Sequence, residues 1–184
     1  VCRGYGEGCH ALLLFLYMVT ALPLRVLTCQ SNGSLRSSVD ENIAHWRTSL
    51  VEVTSLSRSD KIDVVQFPET AFCRYFYPDR ADLERYGGAE EAGKGAVFAF
   101  CREMALRFEA YVIAGYIEKV AADAEDVYYV GLYVVGRDGS LVMNHRKRDL
   151  FQADKTWAQP EALPYTTLQM RNVSGQAFTA GLIL

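Results

Sequence analysis

Ile62-Asp63-Val64-Val65-Gln66-Phe67-Pro68-Glu69-Thr70-Ala71-Phe72 is the stretch on which the fold turns. Residues 62–67 are an apolar run of strand length, closed by a proline that cannot donate to a sheet ladder. The residue after the proline is acidic. A carboxylate just past the C-terminal end of a buried strand stands where open α/β sheets build their sites. Partial burial there would suit Glu69 to general-base work. On position alone the commoner reading is a loop glutamate or an ion-pair partner.

Upstream, residues 24–30 read as a short strand, followed by a polar loop. Ser38 and Glu41 have capping-box spacing: the hydroxyl accepts from a backbone N–H and the carboxylate reaches back to the N-cap. Ile43, Trp46, Leu50 and Val53 then share one helical face, and residues 57–60 end that helix. Downstream, after a long loop, residues 90–108 are predicted as a helix with Val97, Phe100, Cys101, Met104, Ala105 and Phe108 as its apolar stripe. Residues 111–116 read as a strand. Residues 127–135 and 141–145 flank Gly136-Arg137-Asp138-Gly139, a hairpin turn. Residues 151–175 read as a long loop with room for a short helix, and residues 177–184 as the start of a further strand. The order β-α-β-α-β-β-β predicts an α/β fold, with a partly parallel sheet, helices packed on it and an antiparallel hairpin in the same sheet.

Lys147 follows the strand Leu141-Val142-Met143-Asn144-His145, again at a strand end. A fixed ammonium there can stabilise an oxyanion. A surface lysine in a basic turn is the plain alternative.

The 184 residues suffice for one domain with a core, and an apolar half with 22% charged residues reads as globular rather than disordered. A net charge of −3 leaves no basic footprint, so no nucleic-acid partner is expected. The cysteines are odd in number and widely spaced, with no C-x-x-C, which argues against a disulfide framework or a zinc site. A cytoplasmic, reducing setting is expected. His10, His45 and His145 lie far apart in sequence, and no metal or other cofactor is expected. Residues 11–24 are uncharged and mostly apolar but shorter than the roughly 20 residues of a membrane span, so no membrane partner is expected. Val19-Thr20-Ala21 resembles a signal-peptide cleavage site, but Arg3 is offset by Glu7. Residues 1–23 are read as a leader, non-native in preference to secretory, and residues 24–184 as the domain.

A resemblance adds to these readings. Phe67-Pro68-Glu69-Thr70-Ala71-Phe72 resembles the glutamate motif of the nitrilase superfamily of carbon–nitrogen hydrolases, with Tyr75-Phe76 where that motif continues. Asn144-His145-Arg146-Lys147-Arg148-Asp149-Leu150-Phe151 resembles its lysine motif. Tyr111-Val112-Ile113-Ala114-Gly115-Tyr116-Ile117-Glu118 is similar to the strand that connects them. Residues 24–30 with Glu41-Asn42-Ile43 resemble its opening strand and helix. The likeness runs over residues 24–184 and implies an α-β-β-α sandwich of which the chain holds about the first half. Asp154-Lys155-Thr156-Trp157-Ala158 resembles the branch that deamidates N-terminal asparagine and glutamine of proteins.

The resemblance implies Glu69 as general base, Lys147 as oxyanion stabiliser and a cysteine nucleophile. It also implies a second glutamate, carried to Glu161, the only glutamate after the lysine motif. The nucleophile follows an apolar strand in this superfamily. Ala180-Gly181-Leu182-Ile183-Leu184 resembles that strand, so the cysteine is expected beyond Leu184. Cys73 sits where the family has threonine, Arg74 replaces its glycine and Val130 its asparagine. Cys29 and Cys101 read as buried small residues. Tyr75 and Trp157 are expected to line a pocket for a peptide or protein N-terminus, or for a small amide. A small-molecule amidase of ω-amidase or nitrilase type, or a truncated non-catalytic member, are the alternative functions. A homo-oligomer is a further partner left open.

Overall fold

The computed structural model describes residues 12–14, 23–30, 38–56 and 61–184. Their elements are β1 (Leu12–Leu14), β2 (Val26–Thr28), α1 (Val39–Leu56), β3 (Val64–Gln66), α2 (Arg80–Tyr86), α3 (Ala96–Phe108), β4 (Tyr111–Val120), β5 (Val127–Val135), β6 (Leu141–Arg146), β7 (Thr167–Arg171) and β8 (Ala177–Gly181). Strands β1 to β6 form one sheet in chain order, and β7 pairs with β8 in a second, two-stranded sheet.

Period-two alternation of side chains sets the layers. Leu27, Val65, Phe67, Val112, Ala114, Tyr116, Tyr133 and Val135 face Ile43, Trp46 and Leu50 of α1 and Phe100, Cys101 and Met104 of α3. The intervening Val26, Val64, Leu132 and Val134 face Met170 and Leu182 of the β7–β8 segment. Both faces of the sheet are therefore buried, which explains the nearly continuous apolar runs of its central strands. Helices, sheet and hairpin are three successive layers of the expected α-β-β-α sandwich.

Asp63 ties the hairpin to the sheet. Its carboxylate is fully buried and accepts from Arg25 N at 2.9 Å, Val173 N at 2.5 Å and Arg137 Nη2 at 3.1 Å. Arg137, from the β5–β6 turn, also donates to Arg171 O at 3.1 Å.

Strand direction places the site. β2, β3 and β4 are parallel, β5 reverses, and β6 reverses again. β3 and β6 therefore run the same way, and the residues after their C-terminal ends emerge at one edge of the sheet.

Several boundaries differ from the sequence reading, among them the strand read over 111–116, which runs on to Val120. The helix expected over 90–108 begins at Ala96. Glu90 instead bridges to Glu118 of β4, and its carboxylate accepts from Val97 N and Phe98 N at 2.9 Å each. It thus caps α3 from outside the helix, where Gly95 has no side chain to do so. The loop before it contains α2, started by the Asp79 side chain accepting from Asp82 N at 2.9 Å. The loop expected over 151–175 contains β7. Of the leader, residues 12–14 and 23 are described. Leu12–Leu14 pair antiparallel with β2, while Val19-Thr20-Ala21 lies outside the described residues, as does the expected helix end at 57–60. Among the described residues no helix is long and apolar enough to cross a membrane.

Candidate active site

The loop after β3 is held from three sides. Phe67 N donates to Ile113 O at 2.8 Å, Trp46 Nε1 to Ala71 O at 2.8 Å, and Asn42 Nδ2 to Phe72 O at 2.9 Å. Trp46 and Asn42 explain why α1 precedes this strand: the helix supplies buried donors to carbonyls that the loop leaves unpaired. Across the sheet the loop rests on Gly115. A Cβ at that position would lie 2.8 Å from Glu69 Cα, 2.8 Å from Thr70 N and 2.9 Å from Pro68 O. All three are backbone atoms, so only glycine admits this crossing. Thr70, next to Glu69, is held at φ 50°, a conformation that costs an L-residue about 1–2 kcal/mol and persists only where the surroundings impose it.

Lys147 continues the β6 ladder, its N–H donating to Val130 O at 2.8 Å. Its ammonium lies 2.7 Å from Glu69 Oε1 and 2.9 Å from Asp154 Oδ2. The side chains of Lys147 and Asp154 are 6% and 3% exposed, so this charge is taken out of water and is tenable only because it is paired. Burial, the largest single influence, pulls the lysine's pKa down. The hydrogen bonds and charges of Glu69 and Asp154 outweigh it, and the pKa ends above its ordinary 10.5. Lys147 is thus a fixed cation, suited to stabilising negative charge rather than to moving protons.

Asp154 is the partner that sequence reasoning missed. Its Oδ2 also accepts from Phe151 N at 2.9 Å, and its carbonyl from Trp157 N at 3.1 Å and Ala158 N at 2.7 Å, closing a 3-10 turn over Asp154–Thr156. The same carboxylate therefore shapes the loop and neutralises the lysine. The acidic residue before the tryptophan was visible in the sequence, but only as a marker of the branch.

Glu161 is not brought to the ammonium. Its carboxylate lies 3.7 Å from Arg146 Nη1 and accepts from Ala162 N at 2.7 Å. It meets Lys147 through the backbone, Glu161 N donating to Lys147 O at 3.0 Å. Arg146 is itself clamped to buried Glu118 by contacts of 2.7 and 2.8 Å.

Tyr75 stands half-exposed at the site. Burial first and then the charges of Glu69 and Asp154 raise its pKa, with Lys147 opposing, so its ring lies within electrostatic reach of all three groups. Trp157 is buried, edge-on to Tyr77 at 6.1 Å. It packs beneath the site with Cys73, Ile117, Val130 and Ala158 rather than standing open to a ligand. Leu184 packs against this same cluster.

Cys73 lies four positions after Glu69, but burial pushes its thiol up to about 12, which leaves it protonated and inert. Cys29 and Cys101 are buried, as read. Arg74 is absent from the positive-φ positions, so the turn does not need the family's glycine there. Val130 is fully buried, and its carbonyl holds Lys147.

The Carbon-nitrogen hydrolase family model matches residues 25–182. The chain is 30% identical over 134 residues to the protein N-terminal amidase of Saccharomyces cerevisiae, covering 73% of this chain and 28% of that protein. It is 24% identical over 120 residues to the protein N-terminal amidase of Schizosaccharomyces pombe, covering 65% and 41%. The chain thus spans less than half the length of either relative. Crystal structures of N-terminal amidase, including one with an Asn-Glu peptide and one with a Gln-Gly peptide, superpose with a TM-score of 0.73 at 25% identity, over 86% of this chain and 38% of theirs. Saccharomyces cerevisiae Nit3, of the nitrilase superfamily, shares the fold at 18% identity, with a TM-score of 0.60 over 76% of this chain and 49% of its own. With a family match that covers most of its residues, the chain belongs to the carbon–nitrogen hydrolases.

Proposed function

We propose that the full-length protein hydrolyses the side-chain carboxamide of N-terminal asparagine or glutamine in peptides and proteins. The observation that carries this reading is the buried Lys147 ammonium, 2.7 Å from Glu69 and held by Asp154. The likeness to N-terminal amidases supports the choice of substrate.

In this reading the nucleophile is a cysteine following Leu184, whose side chain packs against the cluster beneath the site. The thiol gives its proton to Glu69, and the thiolate adds to the carboxamide carbon. The carbonyl oxygen takes the negative charge beside the Lys147 ammonium. Collapse of the tetrahedral adduct breaks the C–N bond, the nitrogen leaves as ammonia with the proton from Glu69, and a thioester remains. Glu69 then takes a proton from water, whose oxygen adds to the thioester carbon. Expulsion of the sulfur, which recovers that proton, yields aspartate or glutamate and the free thiol. Lys147 stays charged throughout, as its raised pKa favours.

The test is ammonia release by the full-length protein from Asn- and Gln-initiated peptides, from the same peptides acetylated at the α-amine, and from free small amides. Release from the free-amine peptides alone supports the proposal. Release from small amides alone replaces it with an ω-amidase or nitrilase-like activity, and release from none makes the protein a non-catalytic member. Reading the coding sequence past Leu184 checks the nucleophile.

A further inference from the structure

The loop that presents Lys147 and Asp154 to Glu69 turns two other cations outward. Arg148 and Lys155 each follow one of these buried residues directly in the chain, and both are exposed. With Asp149, Leu150, Ala158 and Pro160 they line an open cavity of about 520 Å³. Its one carboxylate, Asp149, accepts from Tyr165 Oη and keeps its charge. Arg148 lies over the Tyr165 ring at 5.7 Å, and among the described residues neither Arg148 nor Lys155 forms an ion pair. In a chain of net charge −3 these two cations outnumber the cavity's single carboxylate, Asp149, and leave it a net positive charge.

The cavity is also tied rigidly to the chemistry. Asp154 fixes the loop through Phe151 N, Trp157 N and Ala158 N, and Gln159 N is anchored on Tyr128 O at 2.8 Å. The cavity therefore keeps one position relative to the lysine. Its apolar wall, Leu150 and Ala158, packs onto the cluster that holds Trp157.

We propose that this cavity is a subsite for an acidic residue downstream of the N-terminal amide, with Arg148 and Lys155 receiving its carboxylate. The inference rests on the proposed peptide substrate. It adds a preference for acidic residues close behind the N-terminus, set by two residues that take no part in bond breaking. Both cations are solvent-screened, so the preference is modest and falls with salt.

The test measures kcat/KM of the full-length protein on Asn-initiated peptides that carry Glu, Gln or Lys at the second, third or fourth position. At one of these positions Glu is favoured over Gln on the order of fivefold, and the preference shrinks between about 0.05 and about 0.5 M salt. Arg148→Gln with Lys155→Gln removes the preference and leaves the Gln peptide's kcat/KM unchanged. Arg148→Glu with Lys155→Glu shifts it toward Lys. Deamidation with no Glu preference at any position overturns this inference alone, as does a preference that survives in the double glutamine variant. No deamidation of any peptide overturns the proposed function and the subsite together.

Discussion

Lys147 Nζ lies 2.7 Å from Glu69 Oε1, although 78 positions separate them in the chain. The contact exists because β3 and β6 point the same way through an intervening reversal, so that their following residues meet at one sheet edge.

Asp154→Asn removes a charge from a buried pair without changing its shape. Breaking such a pair costs roughly 3 kcal/mol, to be read from denaturant midpoints. Lys147 has its pKa raised above 10.5. Its pairing therefore contributes fully below that value, and the contribution is lost as pH rises through the folded one. The stability gap between wild type and variant is expected to narrow above about pH 10.5. A gap that stays constant with pH would remove Asp154 from the lysine's environment.

Gly115→Ala places a methyl 2.8 Å from Glu69 Cα. Backbone cannot give way cheaply, so the expected loss is about 1–3 kcal/mol, together with a displaced Glu69. Thermal denaturation measures the first and kcat the second. Wild-type values for both would show that the loop has room.

Cys73 should resist alkylation in the native protein and react only after denaturation, given a thiol pushed up to about 12. Cys73→Ala in the full-length protein should keep the proposed amidase activity. Loss of that activity with the fold intact would make Cys73 the nucleophile.

His145 is buried, its Nε2 has no hydrogen-bond partner among the described residues, and burial lowers its pKa against the opposing charge of Glu161. A lowered folded value means the contribution is present above the ordinary 6.5 and is lost as pH falls from there through the folded value. His145→Leu should therefore compare best with wild type under acid, the stability difference shrinking as pH falls below the ordinary 6.5. A pH-independent difference would mean that the imidazole is not desolvated.

Local patterns carried most of the central sheet. The strand before Pro68, the 136–139 turn and the Ser38–Glu41 box each occupy a few adjacent residues, and each stands where it was read. β7 was hidden because Thr167-Leu168-Gln169-Met170-Arg171 offers only two apolar residues, and its strand state depends on pairing with β8 and packing on the sheet. The start of α3 was misread because Glu90, a good helix former, is drawn out to β4 and caps the helix from a distance. Glu69 and Lys147 could be named from motifs at strand ends. The choice of Asp154 over Glu161 as the lysine's second carboxylate could not, since it follows from the curl of a loop that only the folded chain specifies.

The most direct test of the Glu69–Lys147 pairing compares full-length wild type, Glu69→Gln and Lys147→Met in ammonia release from an Asn-initiated peptide, with folding checked by circular dichroism. Both variants are expected to lose about a hundredfold or more in kcat while remaining folded. A folded Glu69→Gln variant that turns over the peptide at the wild-type rate would contradict the reading of this pair as the chemical centre.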